Sequence, residues 1–280
     1  MTALTALTAR PPLPAPYDPS RSAFDIAVLC LALAVPSAVA FGLDVRTIND
    51  VNIWNKPLKF QLSFALHWLT VAWLLRLLSP AAARTPSLRW WLRIGAFASV
   101  VEIFYITLQA ARGRASHFNF STPLETVLYY ALMGGAAVLM MVATIWVGWL
   151  VWRYAEPRQR RTGLWLGAVL GLIAGSVVTL LVTAPLAAGL VDGPGHWVGG
   201  VRTDATGLPI FGWSTTGGDL RVPHFFATHW LQVLPVVGWI ADRSRWNTPQ
   251  RWVWLAQITA VLVVLATGWQ ALQGRPFFGG

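Results

Sequence analysis

TVLYYALMGGAAVLMMVATIWVGWLVW, residues 126–152, runs for 27 positions without an aspartate, glutamate, lysine or arginine. A run of about 20 apolar residues is what a helix needs to cross roughly 30 Å of hydrocarbon. The stretch has no period-2 alternation, and backbone groups cannot stay unpaired in lipid, so it predicts a membrane-spanning helix rather than a barrel strand. Six more runs of this kind lie around it, at 23–43, 60–78, 90–110, 163–190, 224–241 and 252–273. The expectation is an all-α integral membrane bundle of seven helices.

Composition agrees: 55% of the 280 residues are hydrophobic and 11% charged, which an ordinary soluble domain does not accommodate. Lys and Arg near the helix ends divide 13 against 8, with Arg158, Arg160 and Arg161 the densest cluster on the richer side. That bias predicts a cytoplasmic N-terminus and an outer C-terminus. The net charge of +10 is thereby spread over two membrane faces, and a nucleic-acid partner, which needs one contiguous basic surface, is not expected. The partner expected of all seven spans is the lipid bilayer. Cys30 is the sole cysteine, so a metal would be held by nitrogen or oxygen.

Three units follow: a polar tail at 1–22, a membrane domain at 23–274 with an outer cap loop at 191–223, and a short tail at 275–280. The leader is Pro- and Ala-rich (Pro11, Pro12, Pro14, Pro16) and reads as a disordered tail. Arg21 and an apolar run ending in Ala38-Val39-Ala40 also have the outline of a cleavable signal, for which the leader is long. Outer loops at 44–59, 111–125 and 191–223 are the longer ones, and long loops are more often functional than filler. Gly163, Gly167, Gly171 and Gly175 form an i+4 ridge that lets another helix approach closely. The 17 tryptophans read mainly as an interfacial belt.

Polar side chains inside the spans mark the candidate site. On the second span Lys59, Ser63 and His67 are four apart and share a stripe. On the third, Glu102, Tyr105 and Gln109 continue one face, and Glu102 is expected near the depth of His67. On the sixth, His224, Thr228, His229 and Gln232 occupy one arc. His67, Glu102 and His229 are the candidate catalytic groups, and with His224 the candidate metal ligands. Lys56, Lys59, Gln109, Arg112, Arg114, His117, Asn119, Arg221 and Gln232 are the candidate ligand-binding groups, because Arg forks and ammonium groups hold carboxylate or phosphate. His196, in the glycine-rich cap, is the weakest candidate.

Neutral imidazoles and a carboxylate from separate helices suit a single zinc or iron ion with an open position. Two axial histidines, His67 and His229, suit haem b with its propionates on Lys56, Lys59, Arg112 or Arg114. These point to a metal- or haem-dependent membrane enzyme or redox protein. A transporter or binding protein for a small anionic or lipid-like ligand stands beside it, with no inverted repeat or broken helix pair evident and Pro36, Pro185 and Pro235 as possible interruptions. A structural role, with polar stripes as interhelical glue, is the third reading.

Ser63-x-x-x-His67 resembles the second-helix element of the seven-pass zinc hydrolases that include alkaline ceramidases and adiponectin-receptor-like proteins. That likeness covers one helix. Glu102 stands where the pattern has Asp, and the seventh span lacks the pattern's histidine pair. The motifs Trp54-x-Lys56-Pro57-x-Lys59-Phe60, Arg112-Gly113-Arg114-x-Ser116-His117-Phe118-Asn119, Gly218-Asp219-Leu220-Arg221-x-Pro223-His224-Phe225 and His229-x-x-Gln232-x-x-Pro235 resemble segments of bacterial multi-pass membrane proteins with no assigned activity. The resemblance implies a bacterial inner-membrane location.

Overall fold

Several helix starts are written as Ser, Thr or Asp followed by proline, an N-cap acceptor plus a ring pre-set for the first turn. In the computed structural model, which describes residues 17–244 and 247–279, Asp18 accepts from Ser20 N at 2.9 Å, Thr85 from Leu88 N at 3.4 Å and Thr122 from Glu125 N at 3.2 Å. The helices so begun are α1 (Pro19–Leu43), α3 (Pro86–Ala111) and α4 (Pro123–Tyr154). With α2 (Asn55–Leu77), α5 (Gly163–Ala187) and α8 (Pro249–Leu272) they make six helices, among the described residues, long and apolar enough to cross a membrane. The Pro-rich leader, Arg10 and Arg245 lie outside the described residues.

The segment expected as one sixth span is two helices, α6 (Arg221–Thr228) and α7 (Trp230–Arg243), separated at His229. Its φ of −83° and ψ of 0° are cap geometry, which ends the first ladder before the second begins. Neither piece alone has the length of a crossing. Of the prolines expected as possible interruptions, Pro36, Pro185 and Pro235 all lie inside helices, and the break falls at His229 instead. Two π-turns, Leu128–Gly134 in α4 and Gly171–Gly175 in α5, add further irregularity.

Hydrogen bonds sort the helix ends into two sets. Ser20 Oγ donates to Ala72 O at 2.6 Å, Ser79 N to Tyr154 O at 3.0 Å, and Gly163 N and Leu164 N donate to the Asp242 carboxylate at 2.7 and 2.9 Å. At the opposite end Arg46 Nη1 reaches Ala111 O at 3.1 Å, Tyr129 Oη reaches Ala187 O at 3.2 Å, and Asp204 N reaches Asn49 O at 3.2 Å. Successive helices therefore alternate in direction, except that α6 and α7 run the same way. That second end carries two antiparallel pairs, β1 (Thr47–Ile48) with β2 (Val51–Asn52) and β3 (Trp197–Val198) with β4 (Gly218–Asp219). The second pair ties the ends of the 191–223 cap together.

Inside the bundle α1 lies on α2, α3 on α4, and α7 on α5 and α8. The glycine ridge is the α5–α7 seam. A Cβ on Gly163 would sit 2.8 Å from Gly238 O, and one on Gly171 2.8 Å from Trp230 O, so both helix backbones touch without intervening side chains. Small residues at such a seam replace the hydrophobic drive that lipid removes with close van der Waals contact.

Candidate functional site

The second helix starts earlier than its apolar run. Lys56 and Lys59 belong to the first turn of α2 rather than to a loop, and point toward the cap beside Arg221 and Asp204. Lys59 Nζ donates to Phe211 O at 3.1 Å. Lys56 is half-buried and, among the described residues, donates no hydrogen bond and closes no ion pair. It lies within electrostatic reach of Arg221, Asp204 and His117.

His117 comes down from the α3–α4 loop onto the same spot. Its ring packs 5.4 Å from Phe60 and 5.9 Å from Tyr129, and Nδ1 sits 3.1 Å from Ser116 Oγ. Burial, then the Lys56 ammonium and His224 beside it, hold His117 well below its ordinary value of 6.5, so the ring is neutral at physiological pH. His196 is also lowered, chiefly by burial, although it meets Asp204 Oδ1 at 3.3 Å and stacks on Trp197. Burial works to raise Asp204, but the His196 contact and Arg221 outweigh it and keep this carboxyl below its ordinary range.

His224 and His229 present a defined face. Thr183 Oγ1 gives its one proton to Thr179 O at 2.6 Å, so at 2.8 Å from that hydroxyl Nδ1 of His224 must be the donor. His229 Nδ1 lies 2.7 Å from Phe225 O, which only accepts. In both neutral rings Nε2 is left as a lone pair, the tautomer that ligates metals or takes a proton. Arg221 is spent within the cap on Asp219 at 2.7 Å and Asp204 at 2.9 Å, and on Gly212 O.

The other expected residues are divided among separate places. His67 turns its Nε2 to Thr144 Oγ1 at 3.4 Å and lines, with Trp68, Gly95 and Met140, a cavity with room for about one water. Thr144 lies nearer the far end of α4, whereas Thr183 is within about a turn of the cap end of α5, so His67 and His224 face different levels. Glu102 is buried with Oε1 unbonded, and among the described residues it makes neither a hydrogen bond nor an ion pair, with His67 or otherwise. Gln232 Oε1 is likewise buried and unbonded. Asn119 is used in its own loop, donating to Ala115 O at 3.0 Å and accepting from Ser121.

The proposed metal set of His67, Glu102, His224 and His229 is not gathered: among the described residues no three His, Cys, Asp or Glu side chains are grouped to hold a metal ion. His67 is held to Thr144 on α4 and His224 to Thr183 on α5, whereas His229 bonds Phe225 O one turn back along its own segment.

Arg112 and Arg114 close on Glu125, at 3.5 and 3.0 Å, and Gln109 Nε2 donates to the same carboxylate at 2.7 Å. Glu125 is buried, and Tyr105 Oη donates to it at 3.4 Å. Glu125 and Asp204 are the residues that sequence reasoning missed. The first had a signal, the Thr122-Pro123-x-Glu125 spacing of a helix start, which puts an acid in the first turn opposite the Arg112–Arg114 loop. Asp204, within a glycine-rich loop without periodicity, had none.

These features define a helical multi-pass membrane protein with a polar, cap-covered end. Comparison with family models, curated proteins and solved structures gives no match.

One prediction follows from the two loop imidazoles. Each is held neutral below its ordinary value, so its stabilising contribution is complete above about pH 6.5 and is lost as pH falls below it, where opened protein takes up protons more readily. Thermal unfolding in detergent should therefore drop between pH 7.5 and 5.5, and His117→Gln should flatten the drop. A pH-independent midpoint over that interval removes the assignment.

Proposed function

We propose that this is a bacterial inner-membrane protein, N-terminus in the cytoplasm, which binds a small anionic or lipid-like ligand beneath its outer cap, as a binding protein or transporter. The observation that carries the reading is Lys56: a half-buried amine with no hydrogen-bond acceptor or ion-pair partner among the described residues, beside His117 and within reach of Arg221 and Asp204. A partly desolvated amine without a counter-charge is a natural point for a ligand anion to complete. Irregular backbone at membrane depth is tolerated where it is buried in protein or lines a cavity, and broken helices commonly build transporter sites. Lys56 would hold the anion, while the Nε2 atoms of His224 and His229 accept protons. Glu102 and His67, deeper in the bundle, are candidates for onward proton transfer.

The test is thermal unfolding of the detergent-purified protein with laurate and, separately, inorganic phosphate. Either anion should raise the midpoint of the natural chain and of Lys59→Met, with affinity about tenfold or more weaker in Lys56→Met. No shift with either, or an equal shift in Lys56→Met, removes the proposal.

A second reading has one observation in its favour, the fixed tautomers that free two Nε2 atoms for zinc, iron or haem iron. Metal analysis and a spectrum with and without dithionite separate it: bound stoichiometric metal or a Soret band selects it over the first.

A further inference from the structure

At the opposite end of the bundle, α1 and α2 leave a groove with a free volume of about 410 Å³. This is within the size range of small-molecule sites. Its head is polar and its depth is apolar. Ser20, Arg21 and Arg76 lie at the mouth, and Phe24, Leu69 and Trp73 form the walls. Leu69 is seven residues before Arg76 on the same helix, so the apolar wall runs about 10 Å inward from the guanidinium.

The charges at the mouth are unequal in availability. Arg21 is taken by Asp25 at 2.8 Å, and Asp18, also at the mouth, caps Ser20 N. Ser20 Oγ has given its proton to Ala72 O and accepts from Arg76 Nε at 3.4 Å. That leaves both terminal nitrogens of Arg76 without a partner among the described residues, in an exposed fork whose shape matches two phosphate oxygens. A free guanidinium at a helix end, above an apolar slot open at the side of a membrane bundle, has the amphipathic layout of a phospholipid: phosphate at the mouth, acyl chain along Leu69 and Trp73.

We infer that the α1–α2 groove binds a glycerophospholipid through its phosphate on Arg76, with one acyl chain against Phe24, Leu69 and Trp73. This stands apart from the cap site and does not depend on it.

Native mass spectrometry of the full chain in detergent, titrated with palmitoyl-oleoyl phosphatidylglycerol, tests it. A one-lipid adduct should form on the natural chain and on Arg161→Gln, which removes an exposed arginine outside the groove, and weaken about tenfold or more in Arg76→Gln. Leu69→Trp, which fills the apolar wall without touching the arginine, should weaken it also. Equal retention in Arg76→Gln overturns the inference. So does displacement by millimolar inorganic phosphate, which makes the occupant a free anion. A chain lacking residues 1–16 that gains the adduct where the full chain has none overturns it too, by making the leader the occupant.

Discussion

Gly167→Ala should destabilise the protein by about 2–3 kcal/mol, while the same change at Gly135 should be close to neutral. Gly167 sits where α5 meets α7, and an added Cβ would fall 2.6 Å from the carbonyl carbon of Leu234 and 2.9 Å from Cα of Pro235. Both obstacles are backbone, which cannot rotate aside as a side-chain tip does. Relief requires the helices to part, and separation would disturb Gly163 against Gly238 and Gly171 against Trp230 along the same seam. Gly135 has no neighbouring atom within 4 Å, so its Cβ enters open space. Thermal unfolding in detergent checks the pair, with roughly 2–4 °C expected per kcal/mol for a chain of this size. Matching midpoints for the two variants would mean that the α5–α7 contact is not a tight seam.

Glu125→Ala should cost about 2–4 kcal/mol, because it removes the acceptor shared by Tyr105, Gln109 and Arg114 and the counter-charge of Arg112. Gln109 is fully buried and would lose its 2.7 Å bond, and Arg112 and Arg114 would be left facing one another without a counter-charge. The two guanidinium groups are half exposed, and solvent screening keeps the figure below that of a fully buried triad. Glu102→Gln should behave in the opposite way. No hydrogen bond is lost there, an unpartnered carboxyl group leaves an apolar interior, and stability should stay level or rise. Chemical or thermal unfolding of both variants reads the contrast, and a larger loss in Glu102→Gln than in Glu125→Ala would show that the missing partner belongs to Glu102 instead.

The candidate site was legible in part. Lys56, His117, His224 and Arg221 are all in motifs that the sequence singled out, and they do meet at the cap end. What the sequence misjudged was sharing. Arg112 and Arg114 were read as ligand-binding groups, yet Glu125 already occupies them, and the first turn of α4 that puts it there starts before the apolar run does. His67 was aligned with Glu102 and His229 by counting residues from helix ends. Its hydrogen-bond partner is Thr144 on α4, a helix of 32 residues with a π-turn near its cap end. Counting from helix ends assumes straight, equal cylinders, and α4 and α5 depart from that by a π-turn each and the α6–α7 pair by its break.

The sequence alone determined that this chain is a bundle of membrane-crossing helices, because burying long uncharged runs in lipid outweighs every local preference and forces helical hydrogen bonding. It also determined the glycine seam, since i+4 spacing on one helix is a property of the helix itself. Tertiary structure decided which polar groups are already satisfied and which remain open. Whether Lys56 is free while Arg221 is engaged depends on carboxylates brought in from distant segments, and no spacing along the chain encodes that distance. The break at His229 belongs to the same category: its neighbours read as a continuous helix, and only the packed chain shows where that helix stops and restarts.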